Sequence, residues 1–309
     1  DPEAAQYSPL TFAEMRIVDA PRSGACLLFG SKAAGMGEVK PGLRYSAQKD
    51  DTSRVWEELK SVARGAGVME RLLQEIRQRN SAARHILIHR DLAADSEAQI
   101  EQVTAAIHFC ARYPRAEIRV VLALDPLAAW NWFSIPEQQR IEIERQLDVI
   151  SLSLWDEVGI RQLLEFRELP SDDAVCQNIQ RVTGGWDFLL GEFFSNLPQG
   201  KVIRSYLNEF EHELTTPQSS IASRFFAALE VPKDFLPWSV LNAIRREKSG
   251  VYQSLVAPIL LENVPEDTVN AALDYLVRMS IVHKEVQSRR EPLLIVDPVI
   301  LRLWTDDER

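Results

Sequence analysis

Cysteine is scarce in this sequence: Cys26, Cys110 and Cys176 are the only three in 309 residues. Three scattered thiols are too few for a disulfide framework or a thiolate metal site, so we expect neither. No apolar run reaches the ~18 residues of a membrane-spanning helix. The first residues are too polar for a signal peptide. These absences predict a cytoplasmic protein without membrane contacts.

Basic side chains are outnumbered as well, with 35 Lys and Arg against 45 Asp and Glu and a formal net charge of −10. The electrostatic field of a negatively charged chain does not attract the phosphate backbone of a nucleic acid, so a nucleic-acid role needs a local basic patch. The length corresponds to two or three domains, and 46% hydrophobic residues is ordinary for a globular protein. Because the chain does not begin with Met, we expect it to be part of a longer protein.

Apolar strands and amphipathic helices alternate between residues 53 and 170, which predicts a parallel α/β sheet with right-handed crossovers. Fully apolar strands indicate a sheet covered on both faces. Residues 1–52 have no regular pattern apart from one strand, because several glycines follow it. The predicted strands are 25–29, 85–89, 118–124 and 149–152, and the predicted helices are 55–59, 68–80, 96–113, 136–146 and 157–166.

The pattern changes after residue 170. Residues 171–216 read as an all-α subdomain of three helices. Residues 219–309 show helices followed by two short strands, which is the order of a winged helix-turn-helix. Its predicted helices are 220–229, 237–247, 252–260 and 265–279, and its strands are 281–286 and 293–296.

Four segments together resemble the STAND branch of the AAA+-like P-loop NTPases: the strand at 85–89, the strand ending in Leu124-Asp125, residues 151–164, and the turn Thr183-Gly184-Gly185-Trp186. The resemblance covers about residues 68–309. It implies an α/β parallel-sheet NTPase-like domain, then a helical lid, then a winged helix. It also implies ATP or ADP with Mg²⁺ between sheet and lid, oligomerisation as the output, and roles in signalling, transcriptional control or antiviral defence.

A phosphate-binding loop needs the pattern G-x-x-x-x-G-K-[ST], because amides cradle phosphates, Lys neutralises charge and Ser or Thr holds Mg²⁺. The only candidate runs from Gly30 to Gly35, with Met36 in place of the Lys and Gly37 in place of the Ser or Thr. Pro41 prevents the helix that should follow. A plain glycine-rich turn is favoured over a decayed loop, and Gly30, Gly35 and Gly37 are the candidate nucleotide contacts.

Two carboxylates are the candidate catalytic residues. The family's strand normally ends in acids that hold Mg²⁺ and orient water, but here His89 and Arg90 come first and Asp91 follows. Asp91 could coordinate through water, and a turn-capping role is the favoured alternative. Asp125 follows the next strand, where a γ-phosphate sensor would lie, although Asp125-Pro126 is equally typical of a helix start.

The lid-like turn supplies further candidates, Thr183, Gly185 and Trp186. The family commonly has Gly-x-Pro against the adenine, whereas this chain has Asp187 at the Pro position. Trp186 could stack on a base, but packing between subdomains is favoured. No metal site is expected: His85, His89 and His108 have no third ligand at suitable spacing.

The predicted winged helix is acidic. Residues 262–309 contain ten acidic and six basic side chains, and the helix at 265–279 offers little to base edges or phosphates. Lys284, Arg289 and Arg290 are the candidate partner- or DNA-binding residues on the hairpin. One basic hairpin gives only weak, salt-sensitive DNA contact, so a protein partner, or another part of the parent chain, is favoured.

Three functions remain open. The first is a regulatory or scaffolding module that works by conformational coupling, with weak or absent nucleotide hydrolysis. The second is an ATPase whose phosphate loop lies elsewhere in the parent protein, with Asp91 and Asp125 as magnesium and sensor residues. The third is a DNA-binding regulator. Because no intact phosphate loop is present, a non-enzymatic module is favoured over an ATPase. ATP or ADP with Mg²⁺, if bound, is then a structural or regulatory ligand, and no other cofactor is expected.

Overall fold

The computed structural model describes residues 24–36, 54–59, 67–83, 85–93, 95–113, 117–231, 235–247, 250–252, 254, 256, 264–285 and 291–304. They form two compact units. The first contains the described residues of Asp1–Phe29 and Met36–Leu152, and the second those of Gly30–Gly35 and Ser153–Arg309. None of the helices in these ranges is long and apolar enough to cross a bilayer.

The first unit is built on five parallel strands in the order β2-β3-β4-β1-β5. The predicted parallel α/β sheet is therefore confirmed. Strand β1 lies between β4 and β5, so the segment 1–52, which lacks a regular sequence pattern, contributes a central strand. The strands are β1 (Gly24–Phe29), β2 (Arg54–Glu58), β3 (His85–Asp91), β4 (Glu117–Leu124) and β5 (Asp148–Ser151).

Helices cover the sheet because its strands are apolar on both faces. Leu27 and Leu28 point to opposite sides of β1, and both are fully buried. Helix α2 packs against β1 and β4, and α3 packs against β4 and α2. The helices of this unit are α1 (Val68–Arg79), α2 (Ser96–Arg112), α3 (Pro126–Phe133) and α4 (Glu137–Glu144).

The helix predicted at residues 55–59 is wrong, since the chain forms strand β2 there. Val55 pairs with Ile86 of β3, the amide of Leu59 donates to the carbonyl of His89 at 2.8 Å, and the Trp56 ring stacks on the His89 ring. Glu57 and Glu58 resemble the acidic first turn of a helix, but they belong to a segment that is too short to form a helix alone. Pairing with a buried neighbouring strand decides its conformation.

The second unit begins with four helices around an aromatic core. They are α5 (Glu157–Phe166), α6 (Asp173–Thr183), α7 (Asp187–Ser195) and α8 (Ile203–Thr215). The Phe193 ring is fully buried and lies 5.3 Å from Tyr206 and 5.4 Å from Phe210, centroid to centroid. Helix α5, which the sequence assigns to the α/β domain, groups with this unit.

The C-terminal part of the second unit combines helices with a three-stranded antiparallel sheet in the order β6-β8-β7. Tyr252 lies in β6, so the helix predicted at 252–260 does not begin there, and most of that segment lies outside the described residues. The elements are α9 (Ser220–Leu229), α10 (Leu236–Arg246), β6 (Val251–Tyr252), α11 (Glu266–Arg278), β7 (Val282–Glu285), β8 (Leu293–Val296) and α12 (Pro298–Leu303).

Candidate functional site

The two candidate catalytic carboxylates lie at the carboxyl ends of neighbouring strands. Asp91 ends β3 and pairs with Ala123 of β4, and Asp125 directly follows β4. Ligands of open parallel sheets bind outside this edge. The structure thus brings both residues to the edge where a nucleotide site requires them, and their catalytic roles stay predictions.

Asp125 makes the contact of a helix cap. Its Oδ1 accepts a hydrogen bond from the amide of Ala128 at 2.8 Å, and Pro126 occupies the first position of α3. This geometry satisfies an otherwise unpaired helix donor. One carboxylate oxygen is therefore engaged in the helix-start role that the Asp-Pro pattern indicates as an alternative.

The end of β3 carries basic residues ahead of its carboxylate. His89 is fully buried, and its Nε2 lies 3.9 Å from Oδ1 of the half-exposed Asp91. Arg90 is only 4% exposed; burial lowers the pKa of its guanidinium, while the charge of Glu101 raises it. A buried guanidinium repels a divalent cation. This strand end therefore fits Mg²⁺ poorly compared with the carboxylates that usually hold it.

Three backbone N–H groups of the glycine-containing loop after β1, residues 30–35, donate to carbonyls of the protein. The amide of Ala33 donates to the carbonyl of Ala228 at 3.0 Å, Ala34 donates to Ser31 at 3.1 Å, and Gly35 donates to Lys32 at 3.1 Å. A phosphate cradle needs such N–H groups free to converge on the ligand. In this loop they hold a compact turn and fasten it to α9.

A carboxylate lies directly against the same loop. A Cβ placed on Gly35, whose φ is +92°, would lie 3.0 Å from the carboxyl carbon of Asp187. Asp187 also accepts a hydrogen bond from Trp155 Nε1 at 3.0 Å, and the next amide, Phe188, donates to the carbonyl of Ala33 at 3.1 Å. The loop thus meets the start of α7 and a negative charge.

The turn Thr183–Trp186 has a tight backbone geometry. Thr183 is buried, and its Oγ1 donates to the carbonyl of Ile179 and accepts from the amide of Gly185. Gly185 has φ +75°, and an added Cβ would lie 2.0 Å from the carbonyl oxygen of Trp155. Glycine is required here by both the backbone conformation and the close approach.

Trp186 has the contacts of a packing residue. The ring is fully buried, it meets Phe225 of α9 edge-to-face at 5.4 Å, and its Nε1 donates to Oδ1 of Asp297 at 3.2 Å. Stacking on a base needs an open ring face. A nucleotide role for Trp186 stays a prediction, and it requires this packing to open.

The structure brings the two motifs of the predicted nucleotide site together, because Gly35 of the loop meets the residue that follows Trp186. Lys284 is an exposed residue of β7. Gly37, Arg289 and Arg290 lie outside the described residues. Within the described ranges, no three His, Cys, Asp or Glu side chains are grouped to hold a metal ion.

The sequence patterns did not identify Asp297 as a candidate functional residue. It is almost fully buried and caps α12, with Oδ1 accepting from the amides of Val299 and Ile300. The signal was present, because Asp297-Pro298 repeats the Asp-Pro helix start seen at Asp125-Pro126. Asp187 was noticed only as a departure from the family pattern, and its contact with the loop is not visible in sequence.

These contacts do not fit a bound nucleotide. The amides of Ala33, Ala34 and Gly35 are bonded to carbonyls, Asp187 places negative charge beside Gly35, and the indole of Trp186 is enclosed. A phosphate group that accepts from the amide of Ala33 would first have to displace the carbonyl of Ala228. It would also have to overcome repulsion by the Asp187 carboxylate.

The sheet and its following helical region define an AAA+/P-loop NTPase-like fold. No protein-family model and no curated protein matches the chain. Among solved structures it is similar to the Walker-type ATPase PABY2304 of Pyrococcus abyssi, with a TM-score of 0.53 and 13% identity over 94% of this chain and 93% of that one. This identity establishes the fold alone, and membership of the STAND branch stays a prediction.

Two further structures are more distant. Domain III of the Thermotoga maritima replication initiation protein DnaA has a TM-score of 0.31 and 14% identity, over 64% of this chain and 89% of that one. Drosophila ORC bound to DNA has a TM-score of 0.30 and 11% identity, over 90% and 88% of the two chains. Scores this low carry no argument about function.

Proposed function

We propose that this chain is a regulatory or scaffolding module that uses an AAA+-like fold without nucleotide turnover. It acts by conformational coupling between the helical region α6–α8 and the C-terminal part α9–α12, and by binding a protein partner or another part of its parent chain. The predicted domains, 53–170, 171–216 and 219–309, belong to this proposal as its core, lid and winged helix.

The observation that carries the proposal is the self-contained loop at residues 30–35. In a working NTPase the corresponding amides, Lys and Ser or Thr bind phosphates and Mg²⁺. Here Ala33 accepts from Phe188 of α7 and donates to Ala228 of α9, and Lys32 Nζ pairs with Glu230 Oε1 at 2.5 Å. The amide of Ala33 thus donates to a protein carbonyl where an NTPase loop amide would donate to a phosphate. The loop joins α7 and α9 through Ala33 without a ligand.

The C-terminal part supports a winged-helix assignment. Helix α9 precedes β6, helix α11 precedes the hairpin β7–β8, and β8 lies between β6 and β7 in the sheet. Helix α11, in the position of a recognition helix, carries Glu266, Asp267 and Asp274 against Arg278. This charge balance opposes entry into a DNA groove, which supports a protein partner.

Calorimetric titration of ATP and ADP with Mg²⁺ tests the proposal. We expect no saturable heat up to about 1 mM nucleotide, which corresponds to binding weaker than about −4 kcal/mol. The variant Asp187→Asn keeps the size of the side chain and removes its charge. It is expected to remain without binding, because the loop amides stay bonded to carbonyls.

Micromolar binding to the natural chain would contradict the proposal and favour the ATPase alternative. Asp91→Asn and Asp125→Asn would then show whether the sheet edge contributes, since both variants keep the side-chain shape and lose the charge that Mg²⁺ requires. Slower amide exchange at Ala33 on adding nucleotide would locate the ligand at the loop, because a bound phosphate accepts from this N–H.

Titration of a fluorescent 20-base-pair DNA tests the DNA-binding alternative. We expect a Kd no tighter than about 10⁻⁴ M at physiological salt, the weak end of non-specific binding. The double variant Arg289→Glu, Arg290→Glu should fold normally and abolish the remaining DNA binding. The double variant Arg71→Glu, Arg77→Glu on α1 changes the net charge by the same amount and serves as the control. Submicromolar, steeply salt-dependent binding that the double variant removes would establish a DNA reader instead.

A further inference from the structure

A buried carboxylate joins three separate segments of the second unit. Asp297 is 3% exposed and lies between β8 and α12. Its Oδ1 accepts from the amides of Val299 and Ile300 at 3.0 and 3.2 Å, and from Trp186 Nε1 at 3.2 Å. Its Oδ2 lies 3.0 Å from His283 Nε2 on β7. The carboxylate thus touches the Thr183–Trp186 turn, the hairpin and α12.

Other contacts bind the same turn to α12. A Cβ on Gly184 would lie 2.7 Å from Val299 Cγ2, so the backbone of the turn lies directly against the Val299 side chain. The Arg302 guanidinium donates to the carbonyls of Arg181 and Val182 at the end of α6. The end of α6 is therefore held to the C-terminal part by a contact surface with Asp297 inside it.

His283 is the contact of Asp297 that can change its charge near neutral pH. Its side chain is 44% exposed, so solvent protons reach it. The hydrogen bond to Asp297 raises the pKa of His283 above its ordinary value of 6.5, burial lowers it, and the charges of Asp297 and Glu285 raise it further.

Asp297 and Glu285 are the charged groups that favour the protonated imidazole, and the elements packed around them add few others. Strand β8, which pairs with β7, has no charged residue between Leu293 and Val296. Helix α11 also packs on β7, and the charged residues of its second half, Asp274 and Arg278, have opposite signs. Arg302 of α12 interacts with Asp297 and with Glu211, and it keeps its charge at all pH values of interest.

We propose that His283 and Asp297 form a proton-operated latch that fastens strand β7 of the C-terminal hairpin to the start of α12, beside the Thr183–Trp186 turn. Protonated His283 donates a charge-assisted hydrogen bond to Asp297, and such bonds are about twice as strong as neutral ones. Loss of the proton leaves the buried carboxylate without this opposing charge. The latch then weakens, and β7 separates more readily from the start of α12.

The direction of the pH effect follows from linkage. The folded protein holds the proton more tightly than the unfolded chain does, so the stabilisation is complete below pH 6.5 and is lost as the pH rises through the raised pKa. Opening of the latch increases by up to about tenfold for each unit by which the folded pKa exceeds 6.5. This control by protons does not depend on whether a nucleotide binds.

Hydrogen exchange between pH 6 and 8.5, corrected for the intrinsic exchange rate, tests the latch. Peptides covering 281–285 and 297–301 are expected to lose protection with rising pH in the natural chain. In His283→Gln, which keeps an amide donor but does not titrate, their protection should not change with pH. The matched control His212→Gln, at an exposed histidine of α8, should behave like the natural chain.

Imidazole NMR supplies an independent measurement. The chain has five histidines, and the signal missing in His283→Gln belongs to His283. A titration midpoint above 6.5 supports the latch. A midpoint at or below 6.5 overturns it, as does a pH-dependent loss of protection in His283→Gln equal to that of the natural chain.

Discussion

Gly185→Ala is expected to remove much of the stability of the second unit. A Cβ at this position would lie 2.0 Å from the carbonyl oxygen of Trp155 and 2.9 Å from its amide nitrogen. Because both atoms are backbone, no side-chain rotation relieves the clash, and the hydrogen bond from Trp155 N to Gly185 O at 2.9 Å must be disturbed. We expect a loss of about 3–5 kcal/mol, measured by urea unfolding, out of a total of about 5–15.

Gly200→Ala is the matched control. Gly200 has the same φ of +75°, but nothing lies within 4 Å of a Cβ built there. Its replacement should cost only the about 1–2 kcal/mol of a left-handed backbone conformation. The difference between the two losses in the free energy of unfolding therefore measures the contribution of the close approach to Trp155. Equal losses would show that this approach contributes nothing beyond backbone conformation.

Much of the first unit could be predicted, because its signals are local. Strand β1 is an unbroken apolar run, β4 is one from Val120 to Leu124, and such runs can be read directly as buried strands. The caps Asp95 and Asp125 come immediately before helices, where their carboxylates meet free amides. Strand β2 was missed for the opposite reason: its conformation depends on pairing with β3, and five residues carry too little periodicity of their own.

The candidate site was harder to predict because distant segments build it. The glycine spacing of residues 30–35 was visible, and so was Asp187 in the lid-like turn. No pattern in the sequence predicts that the loop at residues 30–35 and Asp187 are in contact. Likewise, His283 and Asp297 approach through the register of an antiparallel hairpin, while Trp186 reaches Asp297 from the turn between α6 and α7, 111 residues earlier in the chain. Local patterns name such residues, and only tertiary packing decides their chemistry.

Trp186→Ala is expected to be similarly damaging, for reasons of packing. The ring is fully buried and lies between Phe225 and Asp297, so its removal leaves a large cavity between α7, α9 and α12. Loss of a buried tryptophan typically costs about 3–5 kcal/mol. Trp186→Phe keeps a ring against Phe225 and loses the N–H to Asp297, so about 1.5–3 kcal/mol is expected for that bond to a charged group. Urea unfolding of both variants measures the effects.

Phe166→Ala provides the comparison for an aromatic residue that is not enclosed. Phe166 ends α5 and is 47% exposed, so its truncation should cost less than about 1.5 kcal/mol. The three variants also separate the two roles predicted for Trp186. A base-stacking residue would tolerate alanine with little loss of stability and would instead lose nucleotide affinity. A packing residue loses stability in proportion to the ring it removes, whether or not ATP is present, and this is the result that the enclosed indole leads us to expect.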